Sequence, residues 1–525
     1  MRFSLFLSAL LIIALAGCDA GEPALTEAGA KPPPGTANPI ACANRNNDTA
    51  DKLTDCVTID GVRAHQSAFQ EIADANGGTR ADNTPGYTES ADYVVATLQA
   101  AGWNVQRVPF EYDVVESALE QLAPVAATYA TGTFTGTGFG DVTGTVIPVD
   151  LSLDFPELST SGCEASDFAG LDFSGPNDIA LIQRSVCFFS VKAANAEAAG
   201  AEAVIIFNQG NTPEREGLIT GNASAFPDGS PSNLGIPLVG ASFADGISLA
   251  QAGSTARVSA ESVTRTSENV IAESQTGDPN HVVMIGAHLD SVVDGPGIND
   301  NASGSAAILE TAVMMRRAEP VNMVRLAFWG AEELGLIGST AYLDGLSSAE
   351  RDAISLYLNF DMIGSPNFVR FVYDGDGSEF GFPGAPGSAA AESFFEAFYT
   401  DRDVDFEPTF ITGSDHTPFD SYGIATGGLF TGAGGIKTAE QAAIYGGLAG
   451  EQFDPCYHLA CDTIDNVNLG VLDLNADAVA AATLHFAMAP ATDGARTQAS
   501  AEPRAPVARS EHVPRLHAHG ERVAE

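Results

Sequence analysis

Residues 282–333 read VVMIGAHLDSVVDGPGINDNASGSAAILETAVMMRRAEPVNMVRLAFWGAEE and alternate between apolar runs and a helical repeat. The runs 282–285 and 324–328 are short and apolar, which is typical of strands buried on both faces. Between them, residues 302–317 carry apolar side chains at helical spacing, and a third apolar run covers 356–360. Strands that alternate with helices predict an α/β fold with a mixed, largely parallel sheet flanked by helices.

Acidic residues and a histidine follow these three strands. His288 and Asp290 come after the first strand, Glu332 and Glu333 after the second, and Asp361 after the third. The carboxyl ends of parallel strands line the crevice of an open α/β sheet, so these side chains are expected at one rim. The negative charge of several carboxylates in a partly dry cleft must be balanced by positive charge, which metal ions can supply. Imidazole together with carboxylate is a ligand set that suits zinc. The pattern therefore predicts a metal site at this rim.

Two further segments carry candidate ligands. The segment 297–301 stands directly before the helix at 302–317, and a role near the helix N-cap is the structural alternative for Asp300. The segment 456–461 reads CYHLAC, so a disulfide within it would hold Tyr457 and His458 in place. Each motif alone has a structural explanation, but together they supply what two-metal hydrolysis requires.

Six motifs in order resemble the exported bacterial double-zinc aminopeptidases of metallopeptidase family 28. They are AHLDS at 287–291, GINDN at 297–301, WGAEELG at 329–335, NFDMIGSPN at 359–367, SDH at 414–416 and CYH at 456–458. The resemblance covers residues 268–490 and the helices before an insert, a layout similar to fungal aminopeptidase Y. It implies the zinc exopeptidase fold, which is phosphorylase/hydrolase-like, and removal of N-terminal residues from peptides, with large apolar residues preferred.

The resemblance also implies two zinc ions and their ligands. One ion would be held by His288 and Asp361, and the other by Glu333 and His458. Asp300 would bridge both, and the bond from Asp300 to Asn301 is often a cis peptide in this family.

The implied catalytic groups surround these ligands. Glu332 would act as the general base beside a metal-bridging hydroxide, and Tyr457 would donate its phenol proton to the oxyanion. Asp290 would orient His288 from behind.

The SDH motif leaves one choice open. His416 has the character of a metal ligand, but the family pattern places Asp415 and His416 beside the substrate and favours His458 as the ligand. Relatives carry an arginine before this motif where this chain has Gly413, so the resemblance does not specify how the N-terminus of the substrate is held.

The stretch 119–262 interrupts the catalytic pattern with Gly- and Thr-rich sequence. Within it, ALIQR at 180–184, KAAN at 192–195 and VIIFN at 204–208 resemble the protease-associated domain. We therefore predict a β-rich insert, either a lid or binding module or a purely structural one, inside a peptidase domain made of residues 46–118 and 263–490.

The N-terminus predicts export. Residues 1–18 have a positive start and a short apolar run that ends in LAGC, which resembles a lipoprotein signal peptide with Cys18 as the acylated residue. A plain signal peptide is the alternative. A tether at 19–45 would follow, a disordered tail is predicted at 491–525, and the enzyme would be anchored to a bacterial membrane, facing the periplasm or the cell surface.

Six other cysteines remain, an even number that suits an exported chain. Proximity in the sequence suggests the pairs Cys42–Cys56, Cys163–Cys187 and Cys456–Cys461, with free thiols as the alternative for the first two.

The charge balance excludes one class of partner. The chain has 24 Lys and Arg against 68 Asp and Glu, a formal net charge of -44, whereas binding to nucleic acid requires a basic surface.

Two alternative functions are disfavoured. A carboxypeptidase for acidic dipeptides would need arginines near the motifs, and few arginines occur there. A non-enzymatic relative would have lost metal ligands that this chain retains. Peptides are therefore the expected substrates.

Overall fold

The computed structural model describes Cys42 and residues 44–490. The predicted signal peptide with Cys18, most of the tether and the tail at 491–525 lie outside these residues. The described chain forms two compact units: one runs to Phe110 and resumes at Ser267, and the other is Glu111–Thr266. Among the described helices, none combines the length and apolar character that a bilayer span requires.

The strands are β1 (Asn104–Ala123), β2 (Ala127–Tyr129), β3 (Gly140–Val149), β4 (Ile179–Gln183), β5 (Ala203–Phe207), β6 (Leu238–Ala241), β7 (Thr255–Glu273), β8 (Asp278–His288), β9 (Asn322–Trp329), β10 (Ile354–Phe360), β11 (Phe371–Tyr373), β12 (Glu407–Thr409) and β13 (Thr426–Phe430).

The helices are α1 (Ala50–Thr54), α2 (Ile59–Ala75), α3 (Pro85–Ala100), α4 (Phe189–Ala199), α5 (Phe243–Leu249), α6 (Ala302–Met315), α7 (Ile337–Gly345), α8 (Ser348–Ala353), α9 (Ser388–Thr400), α10 (His416–Ser421), α11 (Ala439–Tyr445) and α12 (Leu469–Met488).

The sheet of the first unit has the order β12-β11-β13-β10-β8-β9-β7. The pairs β13–β10, β10–β8 and β8–β9 are parallel, and β7 adds its last residues antiparallel to β9. The predicted mixed, largely parallel sheet is therefore confirmed. In the register, His288 pairs with Trp329 and Gly286 with Asn359, so the polar ends of β8, β9 and β10 lie side by side.

The helices α6 and α12 are largely buried in the first unit. Asn301 caps α6: its side chain accepts a hydrogen bond from the backbone N–H of Gly304 at 3.0 Å. Because α6 begins there, Asp300 lies at the polar rim of the sheet. The long helix α12 is apolar on nearly all sides and packs on α1, α2 and α6, which explains why most of its residues are buried.

The second unit is built on the parallel strands β3, β4, β5 and β6, with the first part of β7 antiparallel to β3. Alternate residues of β4 and β5 face two separate apolar clusters, one containing Ile182 and Ile206 and the other containing Leu181 and Ile205. This arrangement is a central sheet with an apolar layer on each face. The disulfide Cys163–Cys187 lies in this unit.

Candidate metal centre

Side chains from separate parts of the first unit meet at the carboxyl end of β8. Nε2 of His288 lies 3.1 Å from Oδ1 of Asp300 and 3.3 Å from Oδ1 of Asp361. All three side chains are almost completely buried. An imidazole nitrogen and two carboxylate oxygens that lie close together can surround one cation. Two such ligand groups contain His288: one with Glu332 and Asp361, and the other with Asp300 and Glu333.

The second histidine lies on the other side of Asp300. Nε2 of His458 is 3.4 Å from Oδ2 of Asp300 and 3.0 Å from Oε2 of Glu333. The two carboxylate oxygens of Asp300 therefore face two different histidines. The peptide bond between Asp300 and Asn301 is cis, as the resemblance predicted.

Glu332 and Glu333 diverge although they are adjacent in the sequence. Glu333 faces His458, whereas Glu332 is buried with Oε2 3.9 Å from Nε2 of His288. Burial is also the main cause that raises the pKa of Glu332 well above its usual value. The preceding residue, Ala331, has a φ of 55°, a left-handed conformation that is rare outside glycine. This turn at the end of β9 presents the two carboxylates in different directions.

Asp290 contacts both glutamates through their backbone. Its carboxylate accepts hydrogen bonds from the N–H groups of Glu332 at 3.2 Å and Glu333 at 3.3 Å. Nδ1 of His288 lies 3.1 Å from the backbone carbonyl oxygen of Asp290 and 3.6 Å from its carboxylate. Asp290 thus contacts His288 through both its main chain and its carboxylate, and the same carboxylate holds the glutamate turn.

The disulfide Cys456–Cys461 is present and encloses Tyr457 and His458, whose rings stack with centroids 3.8 Å apart. Burial, followed by repulsion from Asp300, raises the pKa of Tyr457 far above its usual value, so the phenol keeps its proton. The predicted disulfide Cys42–Cys56 is also present.

The donor set fits metal ions. Nε2 of His288, Oε1 of Glu333 and both carboxylate oxygens of Glu332 are buried atoms with no hydrogen-bond partner among the described residues. Such atoms are costly in a protein interior unless a cation or water completes them. Nitrogen and carboxylate donors at this spacing are the set that zinc takes.

Family models match two parts of the chain: peptidase family M28 at residues 269–483 and the PA domain at 142–249. An aminopeptidase of Pseudomonas aeruginosa is 48% identical over 463 residues, which cover 86% of this chain and 85% of the relative. A Mycobacterium tuberculosis protein named "Probable lipoprotein aminopeptidase LpqL" is 41% identical over 82% of this chain and 85% of its own length. BSAP, a zinc aminopeptidase from Bacillus subtilis, is 25% identical, with a TM-score of 0.62 over 82% of this chain and 95% of that one.

The chain belongs to peptidase family M28. It is an aminopeptidase of this family, and the PA domain is inserted within its chain. The family, the inserted module and the enzyme class predicted from the sequence are confirmed.

In this M28 aminopeptidase the SDH motif lies beside Asp361, but its histidine, His416, does not join the ligand groups around His288. The Ser414 hydroxyl donates to Oδ2 of Asp361 at 2.6 Å, and burial is the main cause that raises the pKa of Asp415 to about 7. The His416 ring packs on Tyr373, with centroids 4.3 Å apart, and belongs to neither ligand group around His288.

The structure also reveals a hydrogen-bond chain that sequence reasoning missed. The indole N–H of Trp329 donates to the Tyr357 hydroxyl, that hydroxyl donates to Oδ1 of Asn359, and Nδ2 of Asn359 donates to Ser414, each over 2.8–2.9 Å. Ser414 then contacts Asp361. Trp329, Asn359 and Ser414 all stand in the quoted motifs, so the signal was present without its geometry.

Arg80 is another functional residue that the sequence analysis did not identify. Its guanidinium is fully buried and donates to the carbonyl oxygens of Leu289, Pro296 and Gly297. It thereby supports the loop between the first two motifs and brings positive charge toward Asp290 and Asp300. Since its donors are engaged with carbonyl groups, Arg80 is not placed to grip a substrate carboxylate.

Proposed function

We propose that this M28 aminopeptidase binds two zinc ions and hydrolyses the N-terminal bond of peptides, with a preference for large apolar first residues. The observation that carries the proposal is the position of Asp300, whose two oxygens face His288 and His458 separately. A carboxylate placed in this way can belong to two metal sites at once.

The contacts described above support the ligand roles that we propose. His288 and Asp361 would hold one ion, Glu333 and His458 would hold the other, and Asp300 would serve both. When bound by these residues, zinc would supply a Lewis acid for the peptide carbonyl and would lower the pKa of a bound water. Asp290 and Ser414 keep the ligands in position through the hydrogen bonds described above.

Proton transfer is assigned to Glu332. Its carboxylate has no hydrogen-bond partner among the described residues and lies beyond bonding distance of His288, so it can accept a proton from the attacking water and pass it to the leaving amine. The Tyr457 phenol, which keeps its proton, donates to the carbonyl oxygen as negative charge develops there.

The preference for apolar residues rests on the groups beside Asp361. Met362 follows this ligand and packs with Ala433, Tyr457 and the partly buried Phe430 in one apolar cluster. An apolar side chain at the substrate N-terminus can contact these groups, and Asp415 and His416 would lie beside the substrate. The acidic surroundings favour a cationic amine.

The chain is also proposed to be exported and anchored by a lipid on Cys18. Three disulfides are typical of an oxidising compartment, and one relative is named a lipoprotein. In the native host, Cys18→Ser should move the enzyme from the membrane fraction to the soluble fraction. An enzyme that is soluble before the substitution contradicts the anchor.

The catalytic proposal is tested on the purified enzyme by counting metal and assaying two substrates. We expect two zinc ions per chain, hydrolysis of leucyl p-nitroanilide that a chelator abolishes and zinc restores, and much slower hydrolysis of the glutamyl compound. A single zinc ion per chain, or release of residues from the C-terminus, would contradict it.

A further inference from the structure

A second group of carboxylates lies in the first unit, where none of the assigned zinc ligands takes part. Asp374 and Asp376 stand in the loop 374–387 between β11 and α9, and Glu392 lies on α9. Each offers one oxygen, and these oxygens all lie within 4.8 Å of one another. Glu379 and Glu396 lie near this group. Burial is the main cause that raises the pKa of Glu396, and repulsion from Asp376, Asp374 and Glu379 adds to it.

The buried member of this group has an uncompensated oxygen. Asp374 is only 2% exposed, and its Oδ2 accepts hydrogen bonds from the N–H groups of Glu379 and Phe380. Its Oδ1 is buried and has no hydrogen-bond partner among the described residues. A carboxylate oxygen in this state is unfavourable unless a cation or a water molecule binds to it.

No basic side chain supplies that cation. Within residues 44–490, none of these carboxylates forms a salt bridge with lysine, arginine or histidine. Glu392, which is 5% exposed, accepts instead from the backbone N–H of Asp376 at 2.8 Å, which ties the loop to α9. The donors are all oxygens, which suits a hard cation rather than zinc.

We propose that Asp374, Asp376 and Glu392 bind one calcium ion that holds the loop 374–387 against α9. Calcium accepts carboxylate, carbonyl and water oxygens in flexible geometry, whereas magnesium demands a stricter octahedron. By holding Asp374, the ion would also restrain the residue before it, Tyr373. The ring of Tyr373 packs on His416 of the SDH motif. The inference does not depend on the assignment of the zinc ligands.

Equilibrium dialysis of the zinc-loaded enzyme with radioactive calcium tests the proposal. The salt concentration should be about 0.15 M, which screens the acidic surface. We expect one calcium ion per chain at or below about 1 mM calcium, and affinity about tenfold lower or worse in Asp376→Asn and Glu392→Gln. Asp401→Asn, at the far end of α9, is the matched control and should bind as the wild type does.

A measurement on the wild type complements the variants. At constant zinc, calcium should raise the midpoint of thermal unfolding, and an equal concentration of magnesium should raise it less. The proposal is overturned by an enzyme that binds no calcium at about 1 mM, by calcium affinity that is unchanged in both variants, or by a preference for magnesium.

Discussion

The carboxylate of Asp462 accepts a hydrogen bond from the backbone N–H of Asp300 at 3.0 Å. Its other oxygen accepts from the N–H of Asn299 at 2.9 Å, and its own carbonyl accepts from Ile298 at 3.1 Å. Asp462 directly follows the disulfide that encloses His458. The proposed bridging ligand and a proposed terminal ligand, far apart in the sequence, are therefore fastened together by one buried side chain.

Asp462→Asn should weaken zinc binding. An amide cannot accept at both positions, so its NH2 group must face the N–H of Asn299 or Asp300, and the loops separate slightly. We expect about 10–100-fold lower zinc affinity with the fold retained. Competition with a fluorescent chelator measures this, and Asp465→Asn, which changes an exposed residue of the same loop, is the control. Equal affinities would show that Asp462 does not position the ligands.

Glu332→Gln should separate metal binding from chemistry. The amide is isosteric and retains the position, but it cannot accept the proton from water. We expect zinc content and unfolding midpoint near those of the wild type, with kcat lowered by about two to four orders of magnitude. Glu333→Gln is the informative comparison, since it should lose zinc as well. Near-normal turnover in Glu332→Gln would show that another group is the base.

The two histidines should respond differently to alanine substitution. Nε2 of His458 lies 3.0 Å from Glu333, whereas His416 packs on Tyr373 and joins neither ligand group. Metal analysis after dialysis should therefore find about one zinc ion lost in His458→Ala and none in His416→Ala. If His416→Ala loses as much zinc as His458→Ala, the ligand assignment is wrong.

Arg80→Met should destabilise the catalytic unit. The substitution leaves the carbonyl groups of Leu289 and Pro296 buried without a donor, at about 1–3 kcal/mol for each unsatisfied group, while Gly297 keeps the N–H of Ala302. We expect the free energy of unfolding to fall by about 2 kcal/mol or more. Tryptophan fluorescence in urea measures it, because Trp103 and Trp329 both lie in this unit. Arg317→Met, on the surface, should change little, and equal losses would contradict the role.

The sequence alone was sufficient to predict three adjacent parallel strands of the sheet. The apolar runs at 282–285, 324–328 and 356–360 became β8, β9 and β10, with the strands extending a few residues beyond each run. Burial on both faces requires continuous apolar sequence, and that requirement is visible locally. Because parallel strands end at one edge, the acids that follow them could be placed together as well.

Tertiary structure decided which atoms meet. The role of Asp290 in orienting His288 stays a prediction, and no spacing indicated that its carboxylate also holds the backbone of Glu332 and Glu333. Arg80 and Asp462 act on loops far away in the sequence, and no local spacing distinguishes them from surface charges. Hydrogen bonds between distant segments depend on how the helices and strands pack, so they become visible only when the chain is folded.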